Sequence, residues 1–151
     1  MKRIISIIVA LVALTGIANA QLTIKKSDVG KAKQLTTLSM SWSWLYQSSD
    51  NDYYIVMKSD NQFDDDFWLR LGSNQEECVK SLLSLFDLAD EIGDDDRYEI
   101  DNGREETFTI TSYRPMGMKG LHFHGDRHAG AAYILSSNIE KALKWTQKNI
   151  K

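Results

Sequence analysis

The three histidines of the chain all lie in one short segment, residues 122–128, which reads HFHGDRH. Side chains two positions apart on a strand point to the same side, so His122 and His124 share a face if the segment begins as a strand. A turn after them would bring Asp126 or His128 round to the same place. Imidazole and carboxylate groups are ligands for transition metals. The segment therefore predicts a transition-metal site formed by His122, His124, His128 and Asp126, with a polar strand face and a charged turn as the alternative.

The same segment resembles the His-x-His-x-Asp-His motif of the metallo-β-lactamases, which would imply a metal-dependent hydrolase. Arg127 stands before the last histidine and breaks the motif, and the chain is too short for that fold. The sequence has no Gly-x-Ser-x-Gly elbow and no glycine-rich phosphate loop. Its one cysteine, Cys78, lies in a helical apolar pattern, which predicts a buried structural thiol and excludes an internal disulfide.

A second candidate site is aromatic. Trp42, Trp44 and Tyr46 alternate along one predicted strand, and we expect this set to pack in the core. Tyr54 and Trp68 are then the candidates to line a groove on the sheet, where aromatic rings with polar edges suit a peptide, a glycan or a protein partner. The alternative, that Tyr54 and Trp68 also complete the core, stays open.

Carboxylates cluster in three predicted loops, at residues 50–52, 64–66 and 94–96. Oxygen-rich loops can bind calcium. None of these runs has the spacing of a known calcium loop, and like charges in turns are ordinarily solvated. We therefore expect solvated loops and no resident cofactor apart from the candidate transition metal.

The N-terminus predicts export. Residues 1–20 combine Lys2 and Arg3, an apolar run and the small-residue ending Ala18-Asn19-Ala20, which together form a cleavable signal peptide. The apolar run is shorter than the roughly 20 residues that span a bilayer. We expect a mature chain, residues 21–151, in a periplasm or outside the cell, without a membrane span. Loss of the two basic residues changes the net charge from −3 to −5.

The elements that position these residues follow from periodicity. Alternation over residues 37–46 predicts one strand with a buried face. The residues from Ser73 to Glu76 form a capping box before an amphipathic helix that Gly93 ends. Similar signals at residues 136–140 begin a second helix. The other predicted strands are residues 22–26, 53–58, 67–71, 97–101, 105–113, 121–124 and 131–135, with an Asn102-Gly103 hairpin turn between two of them.

An internal repeat organises these elements. Residues 71–76 and 135–140 align at an offset of 64, each between an aromatic strand and an amphipathic helix. We therefore predict one α+β domain of two ββββα units, about residues 21–93 and 94–151. This element order resembles the PUR-repeat and Whirly proteins, in which curved antiparallel sheets are each packed by one helix.

The resemblance to the PUR-repeat and Whirly proteins covers the mature chain in element order alone and would imply binding of single-stranded nucleic acid. An acidic, exported chain departs from that role, because phosphate contacts supply most of the affinity for nucleic acid. We predict a non-catalytic binding module, monomeric or homodimeric, that engages a ligand or protein partner through its aromatic sheet face. The alternative is the metal-binding protein or metal-dependent hydrolase centred on the histidine segment.

The predicted cleavage site can be tested directly. Expression of the full chain in a secreting host should yield a product that begins at Gln21 and lies outside the cytoplasm, because the leader is removed during export. N-terminal sequencing and cell fractionation measure this. Replacing Val9 in the apolar run with lysine should leave the precursor uncut in the cytoplasm, and a product with an intact Met1 outside it would contradict the prediction.

Overall fold

The computed structural model describes residues 31–151, which form two four-stranded antiparallel sheets, each followed by a helix. The first sheet has the strand order β1-β2-β3-β4 and the second β5-β6-β7-β8. The predicted α+β fold of two ββββα units is confirmed. The elements are β1 (Lys33–Ser39), β2 (Ser43–Gln47), β3 (Tyr53–Met57), β4 (Phe67–Gly72), α1 (Gln75–Glu91), β5 (Tyr98–Asp101), β6 (Thr107–Tyr113), β7 (Gly120–Gly125), β8 (Ala131–Leu135) and α2 (Ser136–Asn149).

Two sequence predictions lie outside the described residues: the signal peptide at residues 1–20 and the first strand at residues 22–26. The first sheet still has four strands within the described part, because the strand predicted for residues 37–46 divides into two. Within residues 31–151, no helix is long and apolar enough to cross a membrane.

The single strand predicted for residues 37–46 is wrong, because the chain reverses in the middle of it to form the β1–β2 hairpin. Ser41 adopts a left-handed backbone with φ 67°, and the Trp42 amide donates to the Ser39 carbonyl at 3.2 Å. The reversal changes which positions face inward. Leu38 is buried, whereas Met40, two residues later, is 86% exposed. The reversal contains no glycine, proline or asparagine, so the sequence pattern gives no sign of a turn there.

The second sheet follows the predicted strands closely. β5 to β8 fall within a few residues of the predicted ranges and pair in chain order. The link between β5 and β6 is longer than the predicted two-residue Asn102-Gly103 turn, because the last cross-strand pair joins Asp101 to Thr107. Residues 102–106 therefore form a loop, and this loop contributes to the candidate site.

One hydrophobic cluster contains the inner faces of both sheets and the inner stripes of both helices. α1 packs on β4 and β7, and α2 packs on β1 and β8. Each helix therefore contacts strands of both units, and the two units share their core. The predicted buried stripe of α1 is confirmed; it consists of Cys78, Leu82, Leu85, Ala89 and Ile92.

The residues that cap the two helices differ slightly from the prediction. Asn74 is the N-cap of α1 in place of Ser73: its Oδ1 accepts from the Glu77 amide at 3.0 Å. The Glu77 carboxylate accepts from the Ser73 amide at 2.8 Å, so the cap lies one residue later than predicted and the glutamate binds the amide that precedes the N-cap residue. α2 begins at Ser136 directly after β8, and no side chain in residues 31–151 caps it.

Two carboxylates of the β3–β4 loop hold the start of β8, and we call these contacts the clasp. Asp64 Oδ2 accepts from the Gly130 amide at 2.6 Å, and Asp60 Oδ1 accepts from the Ala131 amide at 2.7 Å. The Asp60 amide also donates to the Ala131 carbonyl at 2.8 Å. A Cβ on Gly130 would lie 2.5 Å from Asp60 Oδ1, so glycine is required for this close approach. The clasp joins the two sheets.

Replacing Ser41 with glycine tests the β1–β2 hairpin, because the hairpin predicts that this change stabilises the protein. A left-handed backbone costs a residue with a Cβ about 1 kcal/mol, so Ser41→Gly should raise the free energy of unfolding by about 0.5–1 kcal/mol. The control Ser39→Gly, within β1, should lower it by about 0.5–1 kcal/mol because glycine weakens a strand. Urea unfolding measures both. Destabilisation by the two variants alike would contradict the hairpin.

Candidate functional site

The expectation that Trp42, Trp44 and Tyr46 pack in the core is wrong. Trp44 and Tyr46 lie on the outer face of β2, away from the helices, while Leu45 between them is fully buried. Trp42 lies in the hairpin turn, is 37% exposed, and contacts the Tyr133 ring of the second sheet with centroids 5.3 Å apart. The reversal at residue 41 is the cause, because it exchanges the inward and outward positions that follow it.

Tyr54 and Trp68 lie on the same outer face of the first sheet but differ in exposure. Tyr54 is only 9% exposed, whereas Trp68 is partly exposed. The rings of Tyr46 and Tyr54 contact the Trp68 ring at centroid distances of 5.4 and 5.7 Å. Burial, followed by the charge of Asp52, raises the pKa of Tyr54. Tyr54 therefore supports the indole of Trp68, and Trp68 is the ring that a ligand can reach.

Trp68 lines a polar cleft of about 520 Å³ where the two sheets meet. This volume lies within the range of pockets that bind small molecules. The β3–β4 loop, the β5–β6 loop and the β7–β8 turn all contribute to it, so both ββββα units build the cleft. The lining residues are Asp65, Asp66, Trp68, Asn102, Arg104, Glu106, Arg127 and His128.

The β5–β6 loop places an arginine over the indole. Arg104 Cζ lies 5.3 Å from the centroid of the Trp68 ring, within cation–π range. The loop is shaped by the buried Asn102, whose Oδ1 accepts from the amides of Arg104 and Glu106 at 2.7 and 3.2 Å. The Asn102 carbonyl accepts from the Arg70 amide at 3.0 Å, which ties the loop to β4. The sequence pattern marks Asn102 as a turn residue, and its central role in the loop was missed.

A buried histidine and carboxylate form one wall of the cleft. His128 Nε2 lies 3.5 Å from Glu106 Oε1, and both side chains are 9% exposed. The other oxygen of Glu106 accepts from Asn102 Nδ2 at 3.1 Å. The His128 ring stacks on Phe67 with centroids 3.9 Å apart. His128 thus belongs to the cleft and to the core below it.

The structure does not bring the four predicted metal ligands together. His122 and His124 lie on the outer face of β7 with ring centroids 4.5 Å apart, whereas His128 lines the cleft and Asp126 is exposed in the turn. The cause is the turn itself, in which the His128 amide donates to the Gly125 carbonyl at 3.1 Å. Across residues 31–151, no group of three or more histidine, cysteine, aspartate or glutamate side chains is placed to hold a metal ion.

His122 joins a run of ring contacts on the outer face of the second sheet. Its ring lies 5.6 Å from that of Tyr113, which contacts the tilted Tyr133 ring at 4.7 Å, and Tyr133 contacts Trp42. Burial, with the charge of His124 as the second cause, lowers the pKa of His122. Its imidazole is therefore neutral at pH values where an ordinary histidine is partly protonated.

The sequence predicts that the carboxylates of the acidic loops are solvated. In the structure, several of them instead accept hydrogen bonds from other groups of the protein. Asp52 accepts two hydrogen bonds from the Arg70 guanidinium, both at 3.0 Å. Asp96 accepts from the Gly93 amide at 2.8 Å. Asp60 and Asp64 form the clasp. These oxygens shape loops and turns, and their bonds to the protein occupy lone pairs that a calcium ion would need.

Cys78 is a buried structural thiol, as the sequence predicts. It lies on the inner face of α1 and is fully buried in the core. Burial, followed by the charge of Glu77, raises its pKa to about 11. Because the thiolate is the reactive form, Cys78 behaves as an apolar core residue at neutral pH.

Comparison of the chain with protein-family models, curated proteins and solved structures gives no match. Two arrangements carry chemistry in the described part of the chain: the cleft around Trp68 and the paired histidines on β7.

Removing the side chain of Asn102 tests its role as the centre of the β5–β6 loop. Asn102→Ala should lower the free energy of unfolding by about 2–3 kcal/mol, because two loop amides lose their acceptor and one oxygen of the Glu106 carboxylate loses its donor. The control Asn61→Ala removes a single exposed hydrogen bond to the Phe63 amide and should cost at most about 1 kcal/mol. Chemical unfolding compares the two variants, and equal losses would contradict the assignment.

Proposed function

We propose that this protein is a non-catalytic binding module that takes a short saccharide in the cleft around Trp68. The observation that carries the proposal is a partly exposed indole, fixed by neighbouring rings, in a cleft otherwise lined by hydrogen-bonding side chains. One face of a sugar ring presents C–H groups that pack on an aromatic ring, and its edge presents hydroxyls. The cleft offers a surface for each part.

The polar lining supplies both donors and acceptors around the ring. Arg104 and Arg127 present planar guanidinium donors, and Asp65 and Asp66 present carboxylate acceptors. Neighbouring hydroxyls of a sugar can accept from one group and donate to another. The third lining carboxylate, that of Glu106, already accepts from Asn102 Nδ2 and lies 3.5 Å from His128 Nε2, so it forms part of the wall of the cleft.

The charge of the cleft favours a polyol over a polyanion. Two arginines stand among three carboxylates in its lining, and the whole chain has more acidic than basic residues. Strong binding of single-stranded nucleic acid requires a positive groove that follows the phosphates. The mixed charges of this cleft instead suit hydrogen bonds to a largely neutral ligand.

Export supports the same proposal. The signal peptide that the sequence predicts at residues 1–20 would place the protein in a periplasm or outside the cell. Polysaccharides of envelopes and cell surfaces are abundant in those compartments. A binding module with a cleft for one or two sugar units would meet its ligand there.

A glycan array tests the proposal. The purified protein should be retained by a defined subset of saccharides, and calorimetry with the best of them gives the affinity. Trp68→Ala should weaken that affinity at least tenfold, because it removes the stacking surface, and Trp68→Phe should recover part of it. The matched control is Trp44→Ala, which removes an indole from the same sheet face outside the cleft lining.

Thermal unfolding of each variant distinguishes a loss of affinity at the site from a loss of the folded structure. Equal loss of binding in Trp44→Ala and Trp68→Ala would overturn the cleft as the site. Retention on a peptide array but on no saccharide would overturn the ligand class. Salt-sensitive retention on single-stranded DNA that exceeds binding to every saccharide would favour the nucleic-acid role instead.

A further inference from the structure

The outer face of the second sheet carries two adjacent imidazoles that the cleft does not use. Strand β7 places His122 opposite Thr111 and His124 opposite Thr109 on the neighbouring β6. On the other side, His124 is opposite Ala131 of β8, whose small side chain leaves the imidazole exposed. The two histidines therefore form a pair that is open to solvent on one side.

The spacing of the two rings matches a single metal ion bound by both. Their centroids are 4.5 Å apart and their planes are inclined by 64°. An ion about 2.0–2.1 Å from a coordinating nitrogen lies about 3.2 Å from the centre of that imidazole ring. Two such ligands at a right angle have centroids about 4.5 Å apart. A right angle between neighbouring ligands belongs to tetragonal coordination, which Cu²⁺ prefers.

The surroundings restrict the orientation of one of the two imidazoles. The ring of Tyr113 contacts His122 at 5.6 Å and itself contacts the Tyr133 ring at 4.7 Å. These contacts restrict the His122 ring from one side, so the side chain loses little rotational freedom when it binds an ion.

A fixed carboxylate adds a favourable charge. The charge of Asp60 acts on the His122 side chain. The clasp holds Asp60 in place, because its Oδ1 accepts from the Ala131 amide at 2.7 Å. A negative charge that acts on His122 favours a cation bound there.

We propose that His122 and His124 together bind one divalent transition-metal ion, with Cu²⁺ bound more tightly than Ni²⁺ or Zn²⁺. The order follows the general affinities of nitrogen ligands for these ions. The remaining coordination positions are filled by water. The site keeps two of the four ligands that the sequence predicts and excludes His128 and Asp126. It does not depend on the saccharide cleft, because neither histidine lines it.

Titration of the metal-free protein with Cu²⁺, Ni²⁺ and Zn²⁺ tests the proposal. Calorimetry should show one Cu²⁺ per chain, bound more tightly than the other two ions. His122→Ala and His124→Ala should each weaken Cu²⁺ binding at least tenfold. The control His128→Gln should leave the affinity within about twofold, although it lowers stability, because this histidine is stacked in the core. The electron paramagnetic resonance spectrum should show an axial Cu²⁺ centre with nitrogen ligands.

Three results would overturn the metal site. Unchanged Cu²⁺ binding in the double variant of His122 and His124 would place the ion elsewhere on the chain. Loss of binding in His128→Gln with its fold retained, as judged by circular dichroism, would move the ion to the cleft. Failure of the folded protein to bind Cu²⁺ more tightly than Zn²⁺ would contradict the geometry of the pair. The saccharide result is independent of all three.

Discussion

The clasp between the two sheets is the contact on which the rest of the structure depends. Asp60 and Asp64 reach from the β3–β4 loop of the first unit and accept hydrogen bonds from the amides of Gly130 and Ala131 in the second. A hydrogen bond to a charged group contributes about 1.5–3 kcal/mol, more than an ordinary one. Because the β7–β8 turn carries Arg127 and His128 into the cleft, the clasp also fixes one wall of the candidate binding site.

The core strengthens this joining of the two units from below. Phe67 of β4 contacts Phe108 of β6 at 5.2 Å, and His128 stacks on Phe67 at 3.9 Å. The helix of each unit packs on strands of both sheets, so neither unit can bury its apolar face alone. The cleft lies above these contacts, and its shape is therefore set by the same packing that stabilises the fold.

The sequence predicted the second unit better than the first, and the reason is the chemistry of the turns. The links before and after the strands of the second sheet contain Asn102, Gly103, Pro115 and Gly130, which interrupt the periodic pattern visibly. The reversal at Ser41 has no such residue, so period-two alternation continues across it unchanged. Four strands were still predicted for the first unit, but one of them lay at residues 22–26 and two real strands were read as one. The prediction that Trp44 and Tyr46 face inward was wrong for the same reason, because the reversal at Ser41 was not detected.

The candidate sites show a different limit of sequence reading. Strand parity put Trp68 on the face opposite Phe67 and His122 on the same face as His124, because each inference concerns one strand. Arg104 over the indole and Glu106 beside His128 depend on where separate loops meet, and no local pattern contains that information. The histidine segment shows the consequence most clearly. Three histidines within seven residues suggested one site, yet the turn after Gly125 sends His128 into the cleft while β7 keeps the other two on the open sheet. Density of ligand residues along a chain predicts a common site only where the backbone between them does not reverse.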